Sequence, residues 1–469
     1  MLRNLLLIFC ILFSSCSQKK IEWVSSTNDQ RWNTEKNLAL KPASENAPFD
    51  LILTSDTAQT IDGFGGCFNE LGWDALQTLS AGTRDSILKD LFTPEGFNFT
   101  ICRMPLGAND YSRKFYSYNE TAGDFEMKDF SVAHDTTALL PYIKEALKYN
   151  PKLNIWASPW CPPAWMKVNN HYACKRDTLQ NDLPEASQGI EGKTQFIMNP
   201  EYLTAYALYF SKFINAYQAE GINIYAVHLQ NEPNSCQVFP SCIWTASALR
   251  DFIGKYLGPQ FEKQNLNTQI WLGTIERPSV EKVDTVLTDP LASKYVKGVG
   301  FQWAGKDAIP GVHQKYPGMR LMQTETECGN GSNDWKAAEH TWGLIKHYLN
   351  NGANAYMYWN IILDETGKSQ WGWKQNSMIS VDSKTNKAVY NPEFHLMKHL
   401  THFVKPGSKK IKTQGWEDVI AFVNPDGSKV VLLYNPNAEE KLIKIRVNEQ
   451  SFEGTLKPKS FNTFLVKPQ

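Results

Sequence analysis

Eight short strand-like runs recur through the middle of the chain, at residues 60–65, 99–106, 153–160, 224–231, 269–274, 298–303, 319–325 and 354–362. Most of the segments between them have helical character. Within 202–219 the apolar positions Leu203, Tyr206, Tyr209, Phe210, Phe213, Ile214 and Tyr217 form a helix-period stripe, and Gly221 stands where a helix would end. Residues 342–349 read the same way and are closed by Asn351-Gly352. Strands that alternate with helices run parallel. Eight of them predict an α/β fold in which the sheet closes into a (β/α)8 TIM barrel. Gly63-Phe64-Gly65-Gly66, in and after the first run, lacks the dinucleotide spacing and has no P-loop lysine, so it reads as tight-turn chemistry.

The flanks have a different texture. Residues 419–423, 430–434, 441–447 and 461–466 alternate in strand fashion, and Asn424-Pro425-Asp426-Gly427 is a hairpin-turn signal between the first two. Residues 17–57 also lie outside the barrel pattern and have no helical partners. The expected organisation is therefore a leader over 1–16, N-terminal strands over 17–57, a barrel over 58–395 and a C-terminal β-sandwich over 396–469 that the N-terminal strands complete.

Residues 1–20 are a targeting segment. Arg3 supplies the positive charge and residues 5–13 a short apolar run, too short to span a bilayer. Leu12-Phe13-Ser14-Ser15-Cys16 resembles a bacterial lipobox, which implies cleavage before Cys16, its lipidation and a membrane tether. The alternative is an ordinary signal peptide cut nearby. Either way the chain is expected to be exported, to a cell surface or a periplasm.

Lys+Arg and Asp+Glu both number 48, and this balance argues against a nucleic-acid partner. Fifteen Trp suit stacking on the flat faces of sugars, and serve equally well as core filler. Apart from Cys10 and Cys16, seven Cys remain, an odd number without zinc-ligand spacing. Cys236 and Cys242 flank a short loop and could pair in an oxidising compartment. The nine His form no ligand-like cluster, and no metal or cofactor is expected.

Two of the strand-like runs end in carboxylates. Residues 222–231 lead into Asn231-Glu232-Pro233, where the proline restricts Glu232 toward extended backbone. Met322-Gln323-Thr324-Glu325-Thr326-Glu327 closes the seventh run. Catalytic groups of a (β/α)8 barrel sit at the carboxyl ends of its strands. Two carboxyls facing each other there, about 5–5.5 Å apart, are what retaining glycoside hydrolysis needs. Glu325 and Glu327 lie two apart, so an extended chain would point both to one face, and one of them would be a loop residue.

Read together, Gly63-Phe64-Gly65-Gly66, Arg103-Met104-Pro105-Leu106, Ala157-Ser158-Pro159-Trp160, Asn231-Glu232-Pro233, Thr324-Glu325 and Trp359-Asn360 resemble, in this order, glycoside hydrolase family 30, which includes the lysosomal glucosylceramidases. The resemblance implies a barrel with a β-sandwich made from both chain ends, and retaining hydrolysis of β-glycosides. It implies Glu232 as general acid/base and, from the strand-seven pattern, Glu325 as nucleophile. Arg103 would keep Glu325 ionised, or be a structural salt bridge. Asn231 would bind the sugar 2-hydroxyl and Asp110 its more distant hydroxyls. Trp160 and Trp359 would line the glycone pocket, with Trp303 beside the nucleophile. Where the glucosylceramidases carry His-Trp-Tyr at the end of strand six, this chain has Gln302-Trp303-Ala304, which looks more like the β-1,6-glucanases of the family. The resemblance thus implies a β-linked glucan or glucoside as substrate, with the lipid anchor as the only link to a membrane. Alternatives are a glucosylceramidase-like β-glucosidase, a β-xylosidase or β-fucosidase, or, from another class, a glycan-binding lipoprotein without catalysis. Residues 171–193, a long polar insertion after the third run, are expected to shape the mouth of the site.

Overall fold

The computed structural model describes residues 20–44, 47–325 and 327–468. Cys16 and the rest of the leader lie outside the described residues. Eight parallel strands close a barrel: Gly63–Cys67, Ile101–Pro105, Asn154–Ser158, Ile224–His228, Gln269–Ile275, Val296–Gln302, Arg320–Glu325 and Ala353–Asn360. The last strand pairs with the first, Ala355 opposite Gly63 through Tyr358 opposite Gly66. Ile101, Trp156, Ala226, Trp271, Met322 and Met357 pack together as a separate buried cluster contributed by these strands. His228 stacks between Trp156 and Trp271, at ring separations of 4.2 and 5.3 Å. A barrel filled in this way is a solid core that holds its strand ends still.

The predicted helix over 202–219 is Pro200–Ala219, with proline in its first turn and Gly221 at φ +80° just past its end. The segment 342–349 belongs to a longer helix, Trp335–Asn350, capped by Asp334 accepting from the Ala337 N–H. The insertion 171–193 contains only a short 3-10 turn, Glu185–Ser187. It is anchored by the buried Lys167, whose Nζ donates to the carbonyls of Tyr172 (3.0 Å), Ala173 (3.3 Å) and Ser241 (2.6 Å).

Both chain ends build one β-layered module. Lys20–Ser26 pairs antiparallel with Ser460–Val466, and Leu51–Thr60 with Lys409–Gly415. Alternate residues of a strand point to opposite faces. Val419 and Ala421 enter the core of the sandwich, while Ile420 and Phe422 join the larger core shared with the barrel. Val431 and Leu433 divide from Val430 and Leu432 in the same way. The two modules therefore share a continuous apolar interface.

Two expectations need correction here. The first run straddles two elements, because Thr60 ends a sandwich strand and the barrel strand begins at Gly63. Its glycines are strand residues rather than turn residues. A Cβ on Gly65 would lie 1.6 Å from the Ile101 carbonyl oxygen, and one on Gly66 would lie 2.5 Å from Ile361 Cγ1, so neighbouring chain segments occupy the space a side chain would need. Cys236 and Cys242 are not bonded to each other; both are free thiols, and Cys236 Sγ instead lies 3.0 Å from the Cys174 carbonyl oxygen. Gly65→Ala should force the first two barrel strands apart and cost about 3 kcal/mol or more. Urea unfolding of this variant beside Gly82→Ala, where a Cβ meets nothing within 4 Å, checks this.

Candidate active site

Ladder pairing of strand four ends at His228, and residues 229–232 continue past the sheet into the barrel mouth. Glu232 has φ +47°, the left-handed region, not the extended backbone expected before Pro233. Tertiary contacts outweigh the local preference. The Asn231 N–H donates to the Pro159 carbonyl at 2.7 Å, and the Glu232 N–H to Thr274 Oγ1 at 3.2 Å. The Trp244 N–H donates to the Pro233 carbonyl at 2.7 Å. Trp303, directly after strand six, is likewise at φ +48°. Strained backbone of this kind persists where the surroundings over-determine it, commonly at functional sites.

Arg103, on strand two, is wholly buried. Its Nη1 donates to Glu325 Oε2 at 3.0 Å and its Nη2 to Asn231 Oδ1 at 2.7 Å. Nε and Nη2 also reach Ser158 Oγ, at 3.2 and 2.9 Å. The guanidinium carbon lies 4.3 Å from the Trp160 ring centre, 5.0 Å from that of Trp156 and 5.1 Å from that of Trp359. One cation thus ties together strands two, three, four and seven, with π faces around it.

Gln302, at the end of strand six, connects the two carboxyls. Its Nε2 lies 3.1 Å from Glu232 Oε1, 3.2 Å from Glu325 Oε2 and 3.2 Å from Asn231 Oδ1. Its own oxygen accepts from Thr324 Oγ1 at 3.0 Å, which orients the amide. Two carboxyl oxygens within reach of one nitrogen can be no farther apart than those two distances laid end to end. Trp303 Nε1 donates to Glu325 Oε1 at 3.2 Å.

A cavity of about 550 Å³ opens at this end of the barrel, and Asp110, Trp160, Asn231, Glu232, Trp303 and Glu325 line it. Trp359, expected in the lining, is fully buried instead; it packs against Trp160 at 5.4 Å and supports the wall from behind. Glu327 leaves the site. It pairs with Lys306 at 2.5 Å and His340 at 3.4 Å, and those partners hold its carboxyl down at about 2. Of the two glutamates only Glu325 reaches the cavity.

Burial pushes the carboxyls of Glu232, Glu325 and Asp110 upward; charge on Glu232 adds to the rise at Glu325, and charges on Glu325 and Glu232 add to it at Asp110. Arg103 opposes the rise at Glu325 through a direct ion pair, whereas among the described residues no cation pairs with Glu232, and Arg277 and Arg103 act on it only from farther away. The two carboxyls therefore titrate as a coupled pair, and the direct cation contact lies on the Glu325 side.

Several contributors were not singled out from the sequence. In sequence Gln302 stands out only as a departure from the glucosylceramidase pattern, although its place at a strand end is the same signal that marks the carboxylates. Glu276, directly after strand five, carries that signal too and lines the cavity. Phe239 and Trp373 meet edge to face at 4.7 Å in the lining, and each lies in a loop with no pattern to announce it.

A parallel eight-stranded barrel with two paired carboxyls at the carboxyl ends of strands four and seven defines the class: a glycosidase. Comparison with known proteins agrees. The glycosyl hydrolase family 30 TIM-barrel domain matches residues 61–404, and the beta sandwich domain of that family matches 407–464. The chain belongs to glycosyl hydrolase family 30. It is 27% identical to the lysosomal acid glucosylceramidase of Mus musculus, over 88% of this chain and 82% of that one. It is 28% identical to the endo-1,6-beta-D-glucanase of Neurospora crassa, over 83% and 82%. A solved endo-beta1,6-glucanase superposes with a TM-score of 0.81 at 25% identity, covering 96% of this chain and 99% of the other.

Arg103→Met should raise the pH at which Glu325 loses its proton, because the cation that favours the charged form is gone. The acidic limb of the kcat/KM profile for glycoside hydrolysis should move to higher pH by about one unit or more. A limb that stays in place shows that Arg103 does not control that ionisation.

Proposed function

We propose that this glycosidase hydrolyses β-glucosidic bonds with retention of configuration, by double displacement, and that its substrate is β-1,6-glucan or a related β-glucoside. The observation that carries the mechanism is the shared amide of Gln302, in hydrogen-bond reach of both Glu232 and Glu325. That reach is compatible with the separation of about 5–5.5 Å at which one carboxylate attacks the sugar directly, and favours it over the wider spacing of about 6.5–9.5 Å of an inverting pair. Glu325, held charged by Arg103, attacks the anomeric carbon. Glu232, with its proton, passes it to the departing oxygen. A covalent glycosyl–Glu325 ester results, and Glu232, now a base, draws a proton from the water that cleaves the ester. Asn231, fixed by Arg103 and by Thr274 Oγ1 at 3.2 Å, binds the 2-hydroxyl. Asp110, with a buried Oδ1 that has no hydrogen-bond partner among the described residues, accepts from hydroxyls farther along the ring.

The β-1,6 reading is supported by Gln302-Trp303-Ala304 at the end of strand six and by the similarity to endo-1,6-glucanases. Similarity to glucosylceramidases favours a second reading, a β-glucosidase with an apolar aglycone. The leader supports export and lipid anchoring through Cys16, at a cell surface or in a periplasm.

A panel of β-linked glucans, aryl glycosides and glucosylceramide, with product sizes analysed, separates these readings. Release of β-1,6-linked oligosaccharides is expected; turnover of glucosylceramide alone would overturn the substrate proposal. Glu325→Gln should lower kcat by about 10⁴-fold or more while glycan binding persists. Glu232→Gln should lose hydrolysis of unactivated glucans yet still form the glycosyl intermediate from an aryl glucoside with a good leaving group. Near-normal turnover by Glu325→Gln would exclude it as nucleophile. Cys16→Ala should move the protein from the membrane fraction to the soluble fraction; unchanged fractionation would refute the anchor.

A further inference from the structure

Glu276 follows the fifth barrel strand directly and lines the same cavity as Glu232, yet the double displacement gives it no part. It is 1% exposed. Its Oε1 accepts the Asn234 N–H at 2.9 Å and lies 3.5 Å from Ser235 Oγ. These are the second and third residues after Glu232, and the Ser235 N–H closes the turn by donating to the Glu232 carbonyl at 3.0 Å. Arg277 Nη1 stands 3.8 Å from the same Oε1. Oε2 is buried and receives no hydrogen bond among the described residues. A glutamine could accept the Asn234 N–H without bringing a charge into this site, and a buried charge is costly. The turn alone therefore gives no reason for a carboxyl here.

We infer that Glu276 is a positioning residue for Glu232: it anchors the strained turn that carries the proton donor and sets a second carboxyl charge against it. The inference rests on the reading of Glu232 as proton donor. Glu232 is faced by Arg103 from strand two, Asp110 from the loop after that strand, Gln302 from strand six and Glu325 from strand seven; Glu276 and Arg277 face it from the end of strand five. Glu276 is itself faced by Glu232, Arg277 and Lys282, and Arg277 shares its charge with Glu191 of the insertion at 2.8 Å. Burial above all pushes the Glu276 carboxyl up, and charge on Glu232 and charge on Glu276 oppose each other, so whichever carboxyl ionises first disfavours the other. While Glu232 holds its proton that repulsion is absent, and the Asn234 N–H and the nearby Arg277 favour charge on Glu276. An ionised Glu276 disfavours charge on Glu232 and so extends the protonated form to higher pH.

The test compares pH profiles of kcat/KM for the full-length protein and Glu276→Gln, on a β-1,6-linked gluco-oligosaccharide and on an aryl glucoside with a good leaving group. The basic limb for the oligosaccharide should move to lower pH, with activity about three- to ten-fold lower at pH 8 and within about twofold at pH 5. KM should change little. The aryl glucoside should be far less affected, since its aglycone departs without a proton. Superimposable profiles, or an equal loss at every pH for both substrates, would overturn the inference. Should Glu276→Gln fail to fold, Glu276→Asp decides: it keeps the charge and should keep the limb in place, and a limb moved to lower pH would overturn the inference. Glu325→Gln is measured alongside. If it retains turnover, the hydrolytic mechanism is wrong; if it is inactive while Glu276→Gln leaves the limb unmoved, only the role of Glu276 is wrong.

Discussion

The contact on which the site depends is the buried ion pair between Arg103 and Glu325. A guanidinium with no exposed surface is costly to bury unless its hydrogen-bonding capacity is met. Here Ser158, Asn231, the Thr324 carbonyl and Glu325 meet it from three other strands. The same contacts that make burial tolerable also fix the two residues nearest the chemistry, Asn231 and Glu325, relative to each other. Removing one partner would leave charge stranded in the barrel mouth, so structure and reactivity are bound to one set of bonds.

That arrangement also gives two chemically identical side chains different surroundings. Glu232 and Glu325 are both buried, and both share Gln302 as donor, yet among the described residues only Glu325 of the two touches a cation. The asymmetry lies in the scaffold and not in the residues. It explains why the site needs an arginine on strand two, a position remote in sequence from either carboxyl. Strands five and six act as supports. Thr274 holds Asn231 and the backbone of Glu232, and Gln302 spans the gap.

The filled barrel and the shared apolar interface with the sandwich give these bonds a rigid frame. A site whose parts come from several strands keeps its geometry only if the strand ends keep theirs. The close approach at Gly65, where the neighbouring strand takes the place of a side chain, shows how little slack that closure leaves.

The alternation of strand and helix, and thus the barrel, was legible in the chain because hydrophobic period is a local property. The carboxylates Glu232 and Glu325 were legible for the same reason: each stands at the end of an apolar run, where packing has no use for a charge. Other features were not local. The backbone of Glu232 runs against the preference that Pro233 imposes, and contacts from Pro159, Thr274 and Trp244, all distant in sequence, bring that about. Spacing alone puts Glu325 and Glu327 on one face, and only the resemblance to the family's strand-seven pattern favours Glu325; in the fold what divides them is Lys306 and His340, which draw Glu327 away. Trp359 carries the same motif signal as a lining residue, but the depth at which Trp160 overlies it was for the tertiary structure to decide. Period and residue type determine which elements form and which residues are costly to bury. Who partners whom across the barrel, and therefore which carboxyl meets the buried arginine, depends on distances between strands that no short stretch of sequence contains.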